Sequence, residues 1–241
     1  MGDAAGCFVR GRLVFVSGTG TGIGKTHFVA ALLLAGRRHV PRVTGIKPIE
    51  SGVDAGSESD SSRLHRCSSF HVKPFGYTFP EAVSPHLAAR RSGVRIDPAR
   101  LELGIAAARA DADIVVVELP GGLFTPLGDG FSNADLVARC VPDDHLLVAP
   151  DRLGALHEVI ATVRAADAMG LRIGAAVLMA PELDDAATGS NAHELARFLS
   201  IPVLTYFPRA PVEELAGLPA MKIIVDRLLA VPGPSKEQHP P

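Results

Sequence analysis

Ser17-Gly18-Thr19-Gly20-Thr21-Gly22-Ile23-Gly24-Lys25-Thr26 stands between a short apolar run, Leu13–Val16, and an apolar stretch that continues through Phe28–Ala35. A glycine-rich turn from a strand into a helix lets backbone N–H groups converge on phosphate oxygens. The helix N-terminus adds its dipole, Lys25 a full charge, and the Thr26 hydroxyl a ligand for Mg2+. The strict G-x-x-x-x-G-K-[ST] spacing is not met, because the residue five before Gly24 is Thr19 and the glycine lies one earlier, at Gly18. The final Gly-Lys-Thr and the strand–loop–helix context are both present, and they outweigh the alternative of a glycine-rich turn with a solvent lysine.

Outward from this loop, short β-branched runs recur at Val43–Ile46, Ile114–Val117, Leu146–Ala149, Ile173–Leu178 and Pro202–Tyr206. Continuous apolar runs suit strands covered on both faces. Helix-compatible stretches separate them: Lys25–Ala35, Pro98–Ala110, Asn133–Cys140, Leu156–Met169 and Asn191–Leu199. Gly36, Asp111 and Gly170 read as stops, and Asp97 before Pro98 as an N-cap. The alternation predicts an α/β chain with one domain: a doubly wound, mainly parallel sheet with helices on both faces, like a P-loop NTPase. That domain is expected over 12–231, between a flexible N-terminus at 1–11 and a flexible tail at 232–241. Ligands of such sheets bind at the carboxyl ends of the strands, so the residues just after each strand carry the functional information.

The second strand runs into Lys47-Pro48-Ile49-Glu50-Ser51-Gly52. Lys47 there is a second cation for phosphate or carboxylate charge; standing alone it would read equally well as a surface lysine before a turn. Asp60, in the polar loop Ser57–Ser62 before a short helical stretch, reads by itself as an N-cap, with metal binding as the alternative. Glu118 directly follows Val115-Val116-Val117. A carboxylate buried at that place needs a partner. It fits the acidic metal-binding residue at a strand end of phosphate-loop proteins, with an ion-paired glutamate as the alternative. Gly121-Gly122 leaves room for a ligand to approach the backbone.

Composition bounds the rest. The chain has 241 residues, 47% of them hydrophobic and 21% charged, and its 24 basic and 26 acidic residues leave a net charge of −2. That near-neutral balance argues against broad nucleic-acid or membrane-surface binding. The three cysteines, Cys7, Cys67 and Cys140, share no metal-ligand spacing and read as free thiols. The nine histidines show no zinc spacing. No Ser-His-Asp or Cys-His arrangement is evident, and Met169 and Met179 read as core side chains. With no signal-peptide pattern and no apolar run of membrane-spanning length, a cytoplasmic protein is expected.

The loop together with these strand ends resembles the dethiobiotin synthetase family. That family carries G-T-x-T-x-[VI]-G-K-T, here Gly18–Thr26, and K-P-x-x-[ST]-G, here Lys47–Gly52. A Y-T-F/L…E-x-x-S-P-H segment matches Tyr77–His86, V-E-x-x-G-G-x-x-x-P-L matches Val117–Leu127, and a later L-G matches Leu153-Gly154. The resemblance implies ATP-dependent carboxylation and ring closure of 7,8-diaminopelargonic acid with CO2, through a carbamate and a carbamic-phosphoric anhydride. It implies ATP as co-substrate, Mg2+ as cofactor, and a homodimer with the site at its interface.

By that resemblance Thr26, Asp60 and Glu118 hold Mg2+, and Lys25 and Lys47 neutralise phosphate and carbamate charge. Thr21, Ser51 and Gly121 line the diamine, with Lys25, Lys47, Thr21 and Ser51 as the catalytic set. Gly22, Ile23, Gly24, Lys25 and Thr26 bind the nucleotide phosphates. Leu153, Gly154 and His157 meet the substrate carboxylate from the partner chain. Three departures stand out. Gly20 replaces the family's aspartate in the loop, and Leu119-Pro120 replaces Gly-Ala, so the N–H at 120 is lost. Leu178-Met179-Ala180 replaces the Asn-Asp that reads adenine, so base recognition falls to the backbone of Met179, Ala180, Pro208, Arg209, Ala210 and their neighbours. Two alternatives remain. One is a ParA/MinD-like nucleotide switch, although Gly20 stands where such proteins carry a signature lysine. The other is a divergent nucleotide-binding relative without ligase activity.

Overall fold

The computed structural model describes residues 11–54, 56 and 58–230. In chain order the elements are β1 (Arg12–Gly18), α1 (Lys25–Gly36), β2 (Val43–Ile46), β3 (Ile49–Ser51), α2 (Asp60–Cys67), β4 (Tyr77–Phe79), α3 (Pro85–Arg91), α4 (Pro98–Asp111), β5 (Ile114–Gly122), β6 (Pro126–Gly128), β7 (Phe131–Ser132), α5 (Asn133–Cys140), β8 (Asp144–Pro150), α6 (Ala155–Ala168), β9 (Ala175–Met179), α7 (Asn191–Leu195), β10 (Val203–Phe207), α8 (Val212–Leu215) and α9 (Pro219–Leu229).

The six apolar runs became one six-stranded sheet in the order β10-β9-β8-β1-β5-β2, and every pairing in it is parallel. Successive residues of a strand point to opposite faces. Along β5, Val115 and Val117 therefore pack into one core layer, and Ile114 and Val116 into the other. Both faces are covered, which is why these strands read as unbroken apolar runs. Helix α1 packs against β2 and β5 on one side and against α2, α8 and α9 on the other. Its buried residues run continuously from Phe28 to Leu33, without the one-sided stripe of a surface helix.

Local signals set several boundaries. Asp97 caps α4 by accepting from the Ala99 N–H at 3.0 Å, with Pro98 at the first helical position. Helix α1 ends at Gly36 and α4 at Asp111, as the sequence suggests, and Gly170 follows α6 with φ 71°. Helix α7 stops at Leu195, short of the expected Leu199, because the chain tightens into three-residue hydrogen bonds from Arg197 to Glu194 and from Phe198 to Leu195. Met169, expected in the core, is 47% exposed at the end of α6. The pairs β3–β4 and β6–β7 form two small sheets of their own. They are too short to announce themselves by periodicity.

The expected loose ends, 1–11 and 232–241, lie outside the described residues apart from Gly11, whose N–H donates to the Arg109 carbonyl at 3.1 Å. Cys67 and Cys140 are free thiols, and Cys7 lies outside the described residues. Among the described residues no helix is long and apolar enough to cross a membrane.

Candidate active site

The loop after β1 hangs between two neighbouring strands. The Thr19 N–H donates to the Val148 carbonyl of β8 at 3.0 Å, and the Leu123 N–H, just past β5, donates to the Gly18 carbonyl at 3.1 Å. Gly24 turns the chain into α1 at φ 90°, a left-handed conformation that a side chain would strain. Lys25 is buried, and its Nζ donates to the Gly20 carbonyl at 2.7 Å, so the side chain curls back over the loop. Burial pushes the Lys25 ammonium down to about 8, with the Glu118 carboxylate pulling the other way.

Three other elements, β5, β2 and α2, bring charge to the same place. Glu118, within β5, is fully buried. Its Oε1 accepts from Thr26 Oγ1 at 2.8 Å and from Lys47 Nζ at 2.9 Å. Lys47, just past β2, also pairs with Asp60. Burial lifts the Glu118 carboxyl above the usual range, and the Lys47 charge offsets part of that. Burial would lower Lys47, but Glu118 and Asp60 outweigh it and hold the ammonium charged. For Asp60 the cost of burial is likewise outweighed, chiefly by the hydrogen bond from Lys47, and its carboxyl is held down. Asp60 is not the N-cap that its position suggests. Ser59 caps α2, accepting from the Ser62 N–H at 3.0 Å, and this leaves the Asp60 carboxylate free to meet Lys47.

One cleft of about 680 Å³ is lined by Thr21–Thr26, Lys47, Ser51, Asp60, Glu118 and Gly121. Its far wall is Ala82–Pro85, from the segment that forms β4 and opens α3. The Ser51 hydroxyl donates to the Val83 carbonyl at 2.7 Å and ties the two walls together. The Cβ directions of Gly121 and Gly122 point into the protein itself, while Gly121 still lines the cleft. A Cβ on Gly122 would stand 3.3 Å from the Gly18 carbonyl oxygen, and one on Gly121 would stand 2.6 Å from Thr125 Oγ1. Buried Asn133 clamps the turn by donating to the Pro120 and Gly122 carbonyls at 2.7 and 2.8 Å.

A second cleft of about 700 Å³ continues from the first through Thr21–Gly24 and His27. Met179, Ala180, Pro208, Arg209 and Ala210 all line it. Its shape is held by Arg209 Nε, which donates to the Pro181 carbonyl at 2.9 Å, and by His27 Nε2, 2.7 Å from the Ala210 carbonyl oxygen. Leu153, Gly154 and His157 are not brought to either cleft. They lie at the start of α6 on the surface, where Leu153 is 75% exposed.

Several residues escaped the sequence reading. Glu50, Arg63 and Thr125 line the charged cleft, and His27 and Arg152 the other. Glu50 carried a signal, an acidic residue inside a motif that the chain buries; the rest carried none. Ser17 and His145 form a buried pair at 2.8 Å. Both are sealed from solvent, and burial pushes His145 down to about 4, so the imidazole is neutral and structural.

Glu118 Oε2 is buried and has no hydrogen-bond partner among the described residues. An orphaned carboxylate oxygen there is costly unless a cation partners it. Among the described residues no three His, Cys, Asp or Glu cluster as a metal cage. Thr26, Asp60 and Glu118 instead make the sparse oxygen set that suits Mg2+, which keeps waters and phosphate oxygens as its other ligands.

The family model described as AAA domain matches residues 12–214. The ATP-dependent dethiobiotin synthetase BioD of Aromatoleum aromaticum is 38% identical over 208 residues, spanning 82% of this chain and 90% of the relative. That of Ralstonia nicotianae is 37% identical over 225 residues, spanning 90% and 96%. A ParA family ATPase from Chlorobium tepidum superposes with a TM-score of 0.56 at 14% identity, covering 92% of this chain and 98% of that one. The MinC:MinD cell division protein complex of Aquifex aeolicus gives 0.55 at 13% identity, covering 90% and 94%. These two likenesses are of fold alone. On the family model and the curated relatives together, this chain belongs to the dethiobiotin synthetase family.

Proposed function

We propose that the chain is an ATP-dependent dethiobiotin synthetase of biotin biosynthesis, a ligase that closes the ureido ring of 7,8-diaminopelargonic acid with CO2. One amine of the diamine attacks CO2 and loses a proton, giving a carbamate. A carbamate oxygen attacks the γ-phosphorus of ATP, the bond to ADP breaks, and a carbamic-phosphoric anhydride forms. The second amine attacks the activated carbonyl, closes the ring and expels phosphate. Two anions, carbamate and triphosphate, must meet, so the chain has to supply positioning and positive charge rather than a nucleophile.

The observation that carries this reading is the convergence of Lys25, Lys47, Asp60 and Glu118 on one cleft at the strand ends. Lys25 and Lys47 neutralise the two oxyanions as they approach. Thr21, Ser51 and Gly121 line the diamine. Thr26, Asp60 and Glu118 would hold Mg2+, which supplies charge neutralisation to the phosphate oxygens when bound. The loop N–H groups of Gly22, Ile23 and Gly24 face the phosphates, and the cleft at Met179-Ala180 and Pro208–Ala210 takes the base. The Leu153–His157 segment lines neither cleft of its own chain, and its exposed Leu153 supports a homodimer in which it serves the neighbouring site.

The test is ADP release measured with diaminopelargonate and bicarbonate, each added alone and together. Release that requires both supports the ligase. ATP turnover indifferent to the diamine points to a nucleotide switch, and nucleotide binding with no turnover points to a relative without ligase activity.

A further inference from the structure

We propose that Glu50 is a positioning residue: its buried carboxylate fixes the N-terminus of α2 and thereby holds Asp60 in place for the metal and for Lys47. The inference rests on Asp60 belonging to the metal set, as proposed above. Asp60 is carried on an eight-residue helix in which only Leu64 and Cys67 are buried. A helix that short has no stability of its own and takes its position from whatever ties its ends. The far end is tied by Ser68, whose Oγ accepts from the Gly45 N–H of β2 at 2.9 Å.

The near end is tied by Glu50. Its Oε1 accepts from the Asp60 N–H at 2.6 Å, and its Oε2 accepts from the Ser61 N–H at 3.2 Å and from Ser61 Oγ at 2.7 Å. The first N–H groups of a helix have no partner within it, and a negative charge beside them is favourable. Ser59 takes the Ser62 N–H, so Ser59 and Glu50 between them satisfy three successive donors and leave the Asp60 side chain free. Glu50 is itself rigidly placed. It is 5% exposed on β3, whose ladder pairs it with Thr78 of β4. The path from sheet to metal carboxylate therefore runs through Glu50 and one backbone N–H. Both Glu50 oxygens are already engaged, which fits a positioning role better than direct ligation.

The test is the Mg2+ concentration that half-saturates binding of a fluorescent, non-hydrolysable ATP analogue, with the affinity in EDTA as the metal-free reference. Glu50→Ala is expected to raise the half-saturating Mg2+ by roughly tenfold or more, as loss of a group that orients a metal ligand does, while leaving the EDTA affinity unchanged. Glu50→Gln keeps the volume and one acceptor, and falls between; it also carries the test should the alanine variant not fold. In an Asp60→Ala background, Glu50→Ala should add less than about twofold, because the two act as one unit. A full-sized effect in that background would make Glu50 a ligand in its own right and overturn the proposal. So would unmoved Mg2+ half-saturation in both Glu50 variants. A flat response to Asp60→Ala alone would instead remove the metal assignment on which the inference stands.

Discussion

Replacing Lys47 by alanine removes the side chain that touches both Asp60 and Glu118. The pair with Glu118 spans 2.9 Å, with side chains 10% and 1% exposed, so its loss strands a desolvated carboxylate. Breaking a buried pair from one side costs about 3–5 kcal/mol. The Asp60 side chain is 39% exposed and can turn to water, which places the cost near the lower end, about 3 kcal/mol. Domains of this kind have roughly 5–15 kcal/mol in hand, so the variant should fold. Ring closure should fall by roughly 10²–10³, the usual loss when one charge-stabilising group is taken from a reacting centre. Nucleotide affinity should change by less than about threefold, because Lys25, Thr26 and the loop remain and the lost contact acts mainly in the transition state.

The pH dependence has a definite sign. Burial already lifts the Glu118 carboxyl above its ordinary value of 4.5, and losing Lys47 lifts it further. A carboxyl raised in the folded state binds a proton that the unfolded chain has released, so it erodes stability as pH rises from that ordinary value through its folded one. The deficit of Lys47→Ala in urea unfolding should therefore be smaller near pH 5.5 than near pH 7.5. Normal ring closure by the variant would refute the role given to Lys47. A deficit that grows on acidification would refute the electrostatic reasoning.

Glu118→Gln keeps the volume and removes the buried charge; ADP release should drop roughly 10²-fold with a raised Mg2+ requirement, read from rate against Mg2+ concentration. Gly24→Ala forces a side chain into φ 90° with its Cβ 3.4 Å from Met179 Cε. The strain of about 1–2 kcal/mol should lower the melting temperature and weaken nucleotide binding roughly tenfold, measurable by calorimetry. Leu153→Arg should raise KM for the diamine and leave nucleotide affinity unchanged; sedimentation of the same variant against the unsubstituted chain tests the proposed homodimer.

The sheet was legible because a strand covered on both faces leaves a continuous apolar run, and all six such runs entered it. β3, β4, β6 and β7 were not, because two or three residues carry no period. Lys47 and Glu118 were legible for a related reason: each directly follows an apolar run, and the parallel sheet delivers those positions to one edge; Lys25 was legible from the Gly-Lys-Thr that closes the loop. Asp60 was only half legible. Its proximity to a helix start was clear, but whether it or Ser59 does the capping depends on where α2 begins. Glu50 and His27 act through contacts with Asp60-Ser61 and with Ala210, segments that local pattern does not connect to them.

The two clefts hang on different parts of the sheet. The loop and Glu118 extend from β1 and β5, each flanked by paired strands on both sides, whereas the second cleft closes against β10, which has a neighbour on one side only. Amide hydrogens of edge strands and the turns beyond them exchange with solvent through smaller openings than those of interior strands. Deuterium should accordingly enter the amides of Ala180, Glu182, Arg209 and Ala210 well before those of β1 and β5. On the base assignment proposed above, substitutions along that rim can retune nucleotide choice while the loop and Glu118 stay fixed in the interior of the sheet.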